Sequence, residues 1–321
     1  MTNLVSRRYL WFTLSLILIV PGTISLILFG LRLGIDFTGG TLWELQFARP
    51  QTTAAIDQVL IEQGYDGAII QQSGASDENI YLIRLPEITE GSAEKAAIEA
   101  GFAEQLGDYT EREFSTIGGA VSTEIRNRAV LALIVASVGI LLYLAYAFRN
   151  TQNPLLYGMC AIAGMVHDVL IVLGIFSILG VVANVEVDAL FVTALLTVIG
   201  FSVHDTIVVF DRIRENLALN VERKITDEPF AEVVNYSLAQ TVVRSLNNSI
   251  TVVFTLIALF LFGGSTTRDF VLALLIGVIS GTYSSIFNAS QLLVAWEYGE
   301  IQRFFGRVRG RRSDTAPAPA P

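Results

Sequence analysis

Residues 188–216, DALFVTALLTVIGFSVHDTIVVFDRIREN, decide how this chain folds. Crossing a hydrocarbon core of about 30 Å takes about 20 apolar residues in a helix, and the run from 188 to 211 meets that length. It carries one acid in its interior, Asp205, next to His204, and closes on the charge cluster Asp211, Arg212, Arg214 and Glu215. The stretch therefore reads as a membrane-spanning helix with an ionisable group inside it. The helix is expected to end near Asp211, and at 1.5 Å per residue Asp205 then lies about 9 Å inside the boundary.

Five further segments reach spanning length: 9–29, 129–148, 154–181, 245–263 and 270–296. Composition agrees, since 52% of the 321 residues are apolar and 16% charged, outside the balance of a soluble domain. A single cysteine, Cys160, and two histidines, His167 and His204, exclude an intrachain disulfide scaffold and argue against a His/Cys metal cluster. No cofactor, metal or nucleic acid is expected. Arg7 and Arg8 precede the first apolar run, which no Ala-x-Ala cleavage site follows, so it reads as an uncleaved signal anchor.

The net charge of −9 is unevenly spread. Arg7 and Arg8, then Arg149, then Arg212, Arg214, Arg223 and Lys224, then Arg303, Arg307, Arg309, Arg311 and Arg312 all fall on one side of the six helices. The positive-inside rule makes that side, and both termini, cytoplasmic, in the cell (inner or plasma) membrane. The expected organisation is residues 1–29 as N-terminus and helix 1, 30–128 as an extracytoplasmic domain, 129–299 as a five-helix bundle with a cytoplasmic loop 212–244, and 300–321 as a basic tail. The Pro/Ala stretch 315–321 cannot bury apolar surface and is expected to be disordered.

Within the insert, 41–48 (TLWELQFA) alternates like a half-buried strand, and 52–64 offers an N-cap threonine, an amphipathic helix and a terminating glycine. Residues 67–73 and 79–85 read as strands around the turn-rich GASDE, 92–106 as a helix capped by Ser92, and 109–117 as a last strand. The order βαββαβ is that of the split βαβ, ferredoxin-like fold, two helices on one face of an antiparallel sheet. It contains no nucleophile–base pair or phosphate loop, which favours binding or scaffolding over catalysis. The entry Gly34-Ile35-Asp36-Phe37-Thr38-Gly39-Gly40-Thr41 suits a rigid exit from the membrane, with Gly39 and Gly40 free to take positive φ and Asp36 and Thr38 able to cap local amides.

An acid at the centre of a spanning helix costs about 2.5–3.5 kcal/mol on insertion scales, so each is a functional candidate. His167 and Asp168 in helix 3, and His204 and Asp205 in helix 4, qualify. Burial disfavours the charged carboxylate and a nearby arginine favours it; Arg244, at the start of helix 5, is placed to extend inward and meet Asp205. That balance suits Asp205 as a proton carrier. Asp168 is either a second relay group or a partner for His167. His204 lies about 100° round the helix from Asp205 and, with Thr193, Thr197 and Gly200, marks a stripe of small and polar residues suited to close packing. Relay and hydrogen-bonded packing stay open for both histidines. Asp211, Arg212 and Arg214 read as an interfacial anchor.

The stretch from Gly200 to Asn216 closely resembles the helix-4 signature of the SecD/SecF family, accessory subunits of the bacterial Sec translocase. The resemblance runs over the whole chain: the GIDFTGGT entry, the His167-Asp168 pair, Ser237-Leu238-Ala239-Gln240-Thr241 ahead of Arg244, Leu261-Phe262-Gly263-Gly264, and Gly281-Thr282-Tyr283-Ser284-Ser285. It implies half of a resistance-nodulation-division transporter, six helices that pair with a SecD-like sister subunit into twelve. It implies a proton (or sodium) motive force used to assist polypeptides through the SecYEG channel, with YajC as a further partner, and ion-pathway roles for Asp205 and Arg244. Two departures are His204, where the family commonly has asparagine, and a loop to Arg244 a few residues longer than expected.

Half of a pseudo-symmetric transporter lacks the inter-half interface at which ions pass, so a partner is expected. A small-molecule or lipid exporter of the same superfamily would need a second insert between helices 3 and 4, where 182–187 is too short to hold one. An intramembrane hydrolase would need a nucleophile beside the His and Asp residues. A passive scaffold would leave Asp205 replaceable.

Overall fold

A computed structural model describes residues 4–73, 78–149, 151, 153–223 and 228–303. The turn residues 74–77, Lys224 and the tail from 304 on, including Arg307, Arg309, Arg311, Arg312 and the 315–321 stretch, lie outside the described residues. Two compact units emerge: one contains the chain up to 32, 133–185 and from 190 on, the other 33–132 with 186–189.

Among the described residues six helices are long and apolar enough to cross a membrane, Val5–Phe29, Gly119–Ala147, Pro154–Val182, Ala189–Glu222, Phe230–Phe262 and Thr267–Glu297. The first is α1 (Arg8–Phe29), preceded by a 3-10 turn, Val5–Arg7. Its packing against the third span rests on Gly22 and Gly174: a Cβ on either would come within 2.8 Å of backbone carbon on the other. One turn on, the hydroxyls of Ser25 and Ser177 lie 2.8 Å apart. Small residues and buried hydroxyls of this kind hold helices together where lipid removes the hydrophobic drive.

The second unit begins with the single turn α2 (Ile35–Thr38). Gly39 (φ 75°) and Gly40 (φ 115°) then lead into β1 (Gly40–Phe47), and a Cβ on Gly40 would strike the Leu85 carbonyl at 2.7 Å. α3 (Thr53–Glu62) starts where the Thr52 side chain accepts from the Ala55 N–H. β2 (Ile69–Ser73) and β3 (Ile80–Leu85) follow, then α4 (Ala93–Gln105), capped by the Ser92 side chain on the Lys95 N–H, and β4 (Tyr109–Ile117). The sheet order is β2-β3-β1-β4, every neighbour antiparallel, which fits the split βαβ arrangement. Trp43, Leu45, Phe47, Tyr81 and Ile83 from the sheet meet Ile56, Val59, Leu60, Ile98 and Phe102 from the two helices in one core.

Three expectations are corrected. The second spanning helix does not start at 129: α5 (Gly119–Ala147) begins ten residues earlier, inside the compact unit that runs to 132, because its polar first turns continue the backbone ladder ahead of the apolar stretch. Residues 212–244 are not a loop: α7 runs Ala189–Glu222 and α8 Phe230–Phe262, leaving residues 223–229 between them. Hydropathy marks what lipid covers, whereas these extensions bury Ile213, Asn216, Val233, Val234, Ser237 and Leu238 and bond Asn216 Nδ2 to Ser237 Oγ at 2.8 Å. Finally, Asp36 does not cap a local amide. Its Oδ2 accepts at 2.7 Å from the N–H of Ala189, the first residue of α7, and Gly34 N–H donates to Val187 O at 2.9 Å. Nor does Thr38 cap an amide: its contacts are local, but its hydroxyl faces the carbonyls of Gly34 and Gly39.

Candidate functional site

α6 (Pro154–Val182) carries His167 and Asp168 at its centre. Asp168, 1% exposed, accepts four hydrogen bonds. Ser202 Oγ from α7 and Ser284 Oγ from α9 (Ser265–Ser284) donate to its Oδ2 at 2.5 and 2.6 Å. Ser280 Oγ and His167 Nδ1 reach its Oδ1 at 2.6 and 2.9 Å. Four donors fill the acceptor capacity of a carboxylate.

With Nδ1 donating, His167 Nε2 accepts, and Asn288 Nδ2 stands 2.9 Å away to donate. Asn288 also exchanges hydrogen bonds with Ser15 on α1, and Ser15 Oγ lies 3.2 Å from the Tyr283 hydroxyl, which donates to Trp11 O. A continuous polar chain thus runs from α1 through α9 and α6 to α7. Helix α9 sits close to α7 because Gly277 and Gly281 leave room for Val198 and Ser202. Beyond Ser284 the backbone widens into a π turn, Ser285–Ala289, before α10 (Ser290–Glu297). Such turns interrupt the regular ladder and recur at functional sites.

Asp205 lies one turn beyond Ser202 on α7, 3% exposed. Ser285, the first residue of the π turn, is its polar neighbour and donates its hydroxyl to Thr282 O at 3.1 Å, while Asp205 Oδ2 has no partner among the described residues. His204 is exposed on another face, in line with Thr193, Thr197 and Gly200.

The expected meeting of Arg244 with Asp205 does not occur. Helix α8 turns Ser237, Thr241, Ser245 and Ser249 inward, and Arg244, one residue before Ser245, points off that face, exposed. Among the described residues no ion pair joins it to a carboxylate. The Asp211–Arg214 and Arg212–Glu215 pairs form along α7, at 2.5 and 2.6 Å, and Arg212 also reaches Gln240 of α8.

The sequence had singled out His167, Asp168 and Asp205. It had not shown Ser280, Ser284 and Asn288 as partners of the first two, although their four-residue spacing on an apolar helix is a stripe of that kind.

Residues 97–299 match the family described as Protein export membrane protein SecD/SecF, C-terminal, and residues 24–51 match the SecD/SecF GG Motif. The chain belongs to the SecD/SecF family. Protein translocase subunit SecF of Thermobaculum terrenum is 53% identical over 98% of this chain and 100% of its own length. That of Anaerolinea thermophila is 42% identical over 96% and 98%. The crystal structure of SecDF from Thermus thermophilus, a translocon-associated membrane protein, superposes with a TM-score of 0.78 at 34% identity, covering 92% of this chain and 38% of that one. SecD/SecF members therefore include chains of this length and longer fused ones, and the matched glycine motif includes the Gly39–Gly40 turn described above.

Proposed function

We propose that this chain works in protein export as one half of an ion-driven motor, paired with a SecD-like subunit. Asp205 takes up and releases the coupling ion, a proton or, by the same carboxylate chemistry, sodium. The observation that carries this reading is the carboxylate of Asp205, buried in a spanning helix with one oxygen unpartnered, since an intramembrane acid without a fixed partner is expensive to keep and suited to exchange. The exposed line Thr193, Thr197, Gly200 and His204 beside it supports a partner surface on α7, as small and polar residues suit helix contact more than lipid. Arg244, exposed on α8, would take its part in the pathway once such a partner is seated. The fused SecDF relatives, of which this chain covers 35–38%, support SecD as that partner.

On this reading the helices lie in the cell inner membrane with both termini cytoplasmic, following the arginine distribution. The βαββαβ domain faces polypeptide emerging from SecYEG, with YajC as an accessory neighbour. In a strain lacking the native subunit, the Asp205→Asn chain is expected to insert and to associate with its partner yet fail to support gradient-dependent export of a secreted substrate. Undiminished export would refute the carrier role and leave a scaffold.

A further inference from the structure

We infer that Asp168 is the positioning residue of Asp205, acting through the π turn between them. One oxygen, Asp168 Oδ2, receives both Ser202, one turn before Asp205 on α7, and Ser284, the residue immediately before Ser285. Ser285 is in turn the side-chain neighbour of Asp205. The other end of the π turn is held by the same pair of α6 residues, because Asn288 bonds His167 Nε2 while His167 Nδ1 bonds Asp168. Gly164, one turn earlier on α6, lets Ala289 approach, a Cβ there meeting that of Ala289 at 3.3 Å. Asp168 and His167 thus clamp both ends of a turn whose first residue faces Asp205, and clamp the helix that bears Asp205. A change at either clamp moves Ser285, the polar neighbour of the Asp205 carboxylate, whose own hydroxyl is held on Thr282 O at 3.1 Å, in a region where water cannot substitute for it.

The ionisable groups around the pair are His167 and Asp168 on α6, His204 on α7 and Tyr283 on α9, whose ring stacks on His167 at 6.1 Å. Among the described residues no lysine or arginine bonds into the cluster.

This inference rests on Asp205 being the group that exchanges the proton, and its test separates the two. The full chain, in lipid nanodiscs, is titrated while the carboxyl C=O stretch is followed by infrared difference spectroscopy, the Asp205 band being the one that Asp205→Asn removes. Asp168→Asn and Ser284→Ala are expected to move the Asp205 midpoint by about one pH unit, the size of a lost charge-group hydrogen bond or neighbouring charge, and Ser284→Thr to return it. Should Asp168→Asn fail to fold, Ser284→Ala and Asn288→Ala, which keep the carboxylate, decide the matter. A titrating Asp205 band left unmoved in variants that keep wild-type thermal unfolding overturns the positioning role alone. An Asp205 band that does not titrate in the wild type overturns the carrier reading, and the positioning role with it.

Discussion

At the scale of single residues, the membrane unit depends on atoms that are absent. Gly22 and Gly174 bring α1 and α6 to backbone contact, and Ser25 and Ser177 then bond across the seam, with Ser177 donating to Gly30 O at 2.7 Å as well. Any side chain at 174 must push the helices apart and break the hydroxyl pair one turn away. Gly174→Val is expected to destabilise the chain by about 1–3 kcal/mol, the usual range for overpacking. Ser25→Ala should lose about 0.6 kcal/mol, the average for a buried interhelical hydrogen bond in a membrane. Thermal unfolding in mild detergent reads both, and an unchanged midpoint for Gly174→Val would show that α1 is held elsewhere. Nothing in the sequence announced this pair, because glycines are frequent in apolar helices and only the packed structure says which two meet.

At the scale of elements, the insert was legible almost to its ends. Period-2 alternation, the caps at Thr52 and Ser92 and the closing glycines are local signals, and the strands and helices followed them within two residues. The limits of α5, α7 and α8 were not legible from hydropathy, because a helix continues wherever its backbone ladder and a packed face persist. The role of Asp36 was missed for another reason: the amide it caps lies 153 positions away in sequence. Placed at the positive end of α7, that carboxylate serves as a remote N-cap. Asp36→Ala is expected to cost about 1 kcal/mol, as lost caps do, with Asp36→Asn retaining most of it. The loss should appear as faster amide exchange at Ala189, Leu190 and Phe191. Protection unchanged in Asp36→Ala would mean that the Gly34 and Val187 backbone pairing alone fixes the start of the helix.

At the scale of the molecule, the candidate site was half legible. An acid in an apolar helix is visible in any sequence, so Asp205 and Asp168 stood out, whereas the sense in which Arg244 faces depends on the rotation of α8, which only the inward serines define. The two ends of the membrane unit raise a related question, since nothing in the sequence places residue 8 beside residue 300. Arg8 bonds Glu300 through both ends of its guanidinium, Nε at 3.0 Å, and Tyr9 adds a hydroxyl at 2.9 Å. The side chains are 17% and 21% exposed, so the pair is partly shielded from solvent. The Arg8 hydrogen bond, more than its charge or that of Arg303, holds the Glu300 carboxyl below the usual glutamate range. A carboxyl lowered on folding contributes stability that is present above its unfolded value, about 4.3, and lost as pH falls through the folded value. Wild type should therefore exceed Glu300→Gln by on the order of 1 kcal/mol at neutral pH. The difference should hold down to about pH 5 and fade below about pH 4, as both carboxyl states become protonated. Unfolding followed across that range in detergent decides the point: a gap of constant size at every pH would assign the difference to the uncharged hydrogen bonding of residue 300, and its closure in acid would show that charge fastens the first spanning helix to the chain beyond the last.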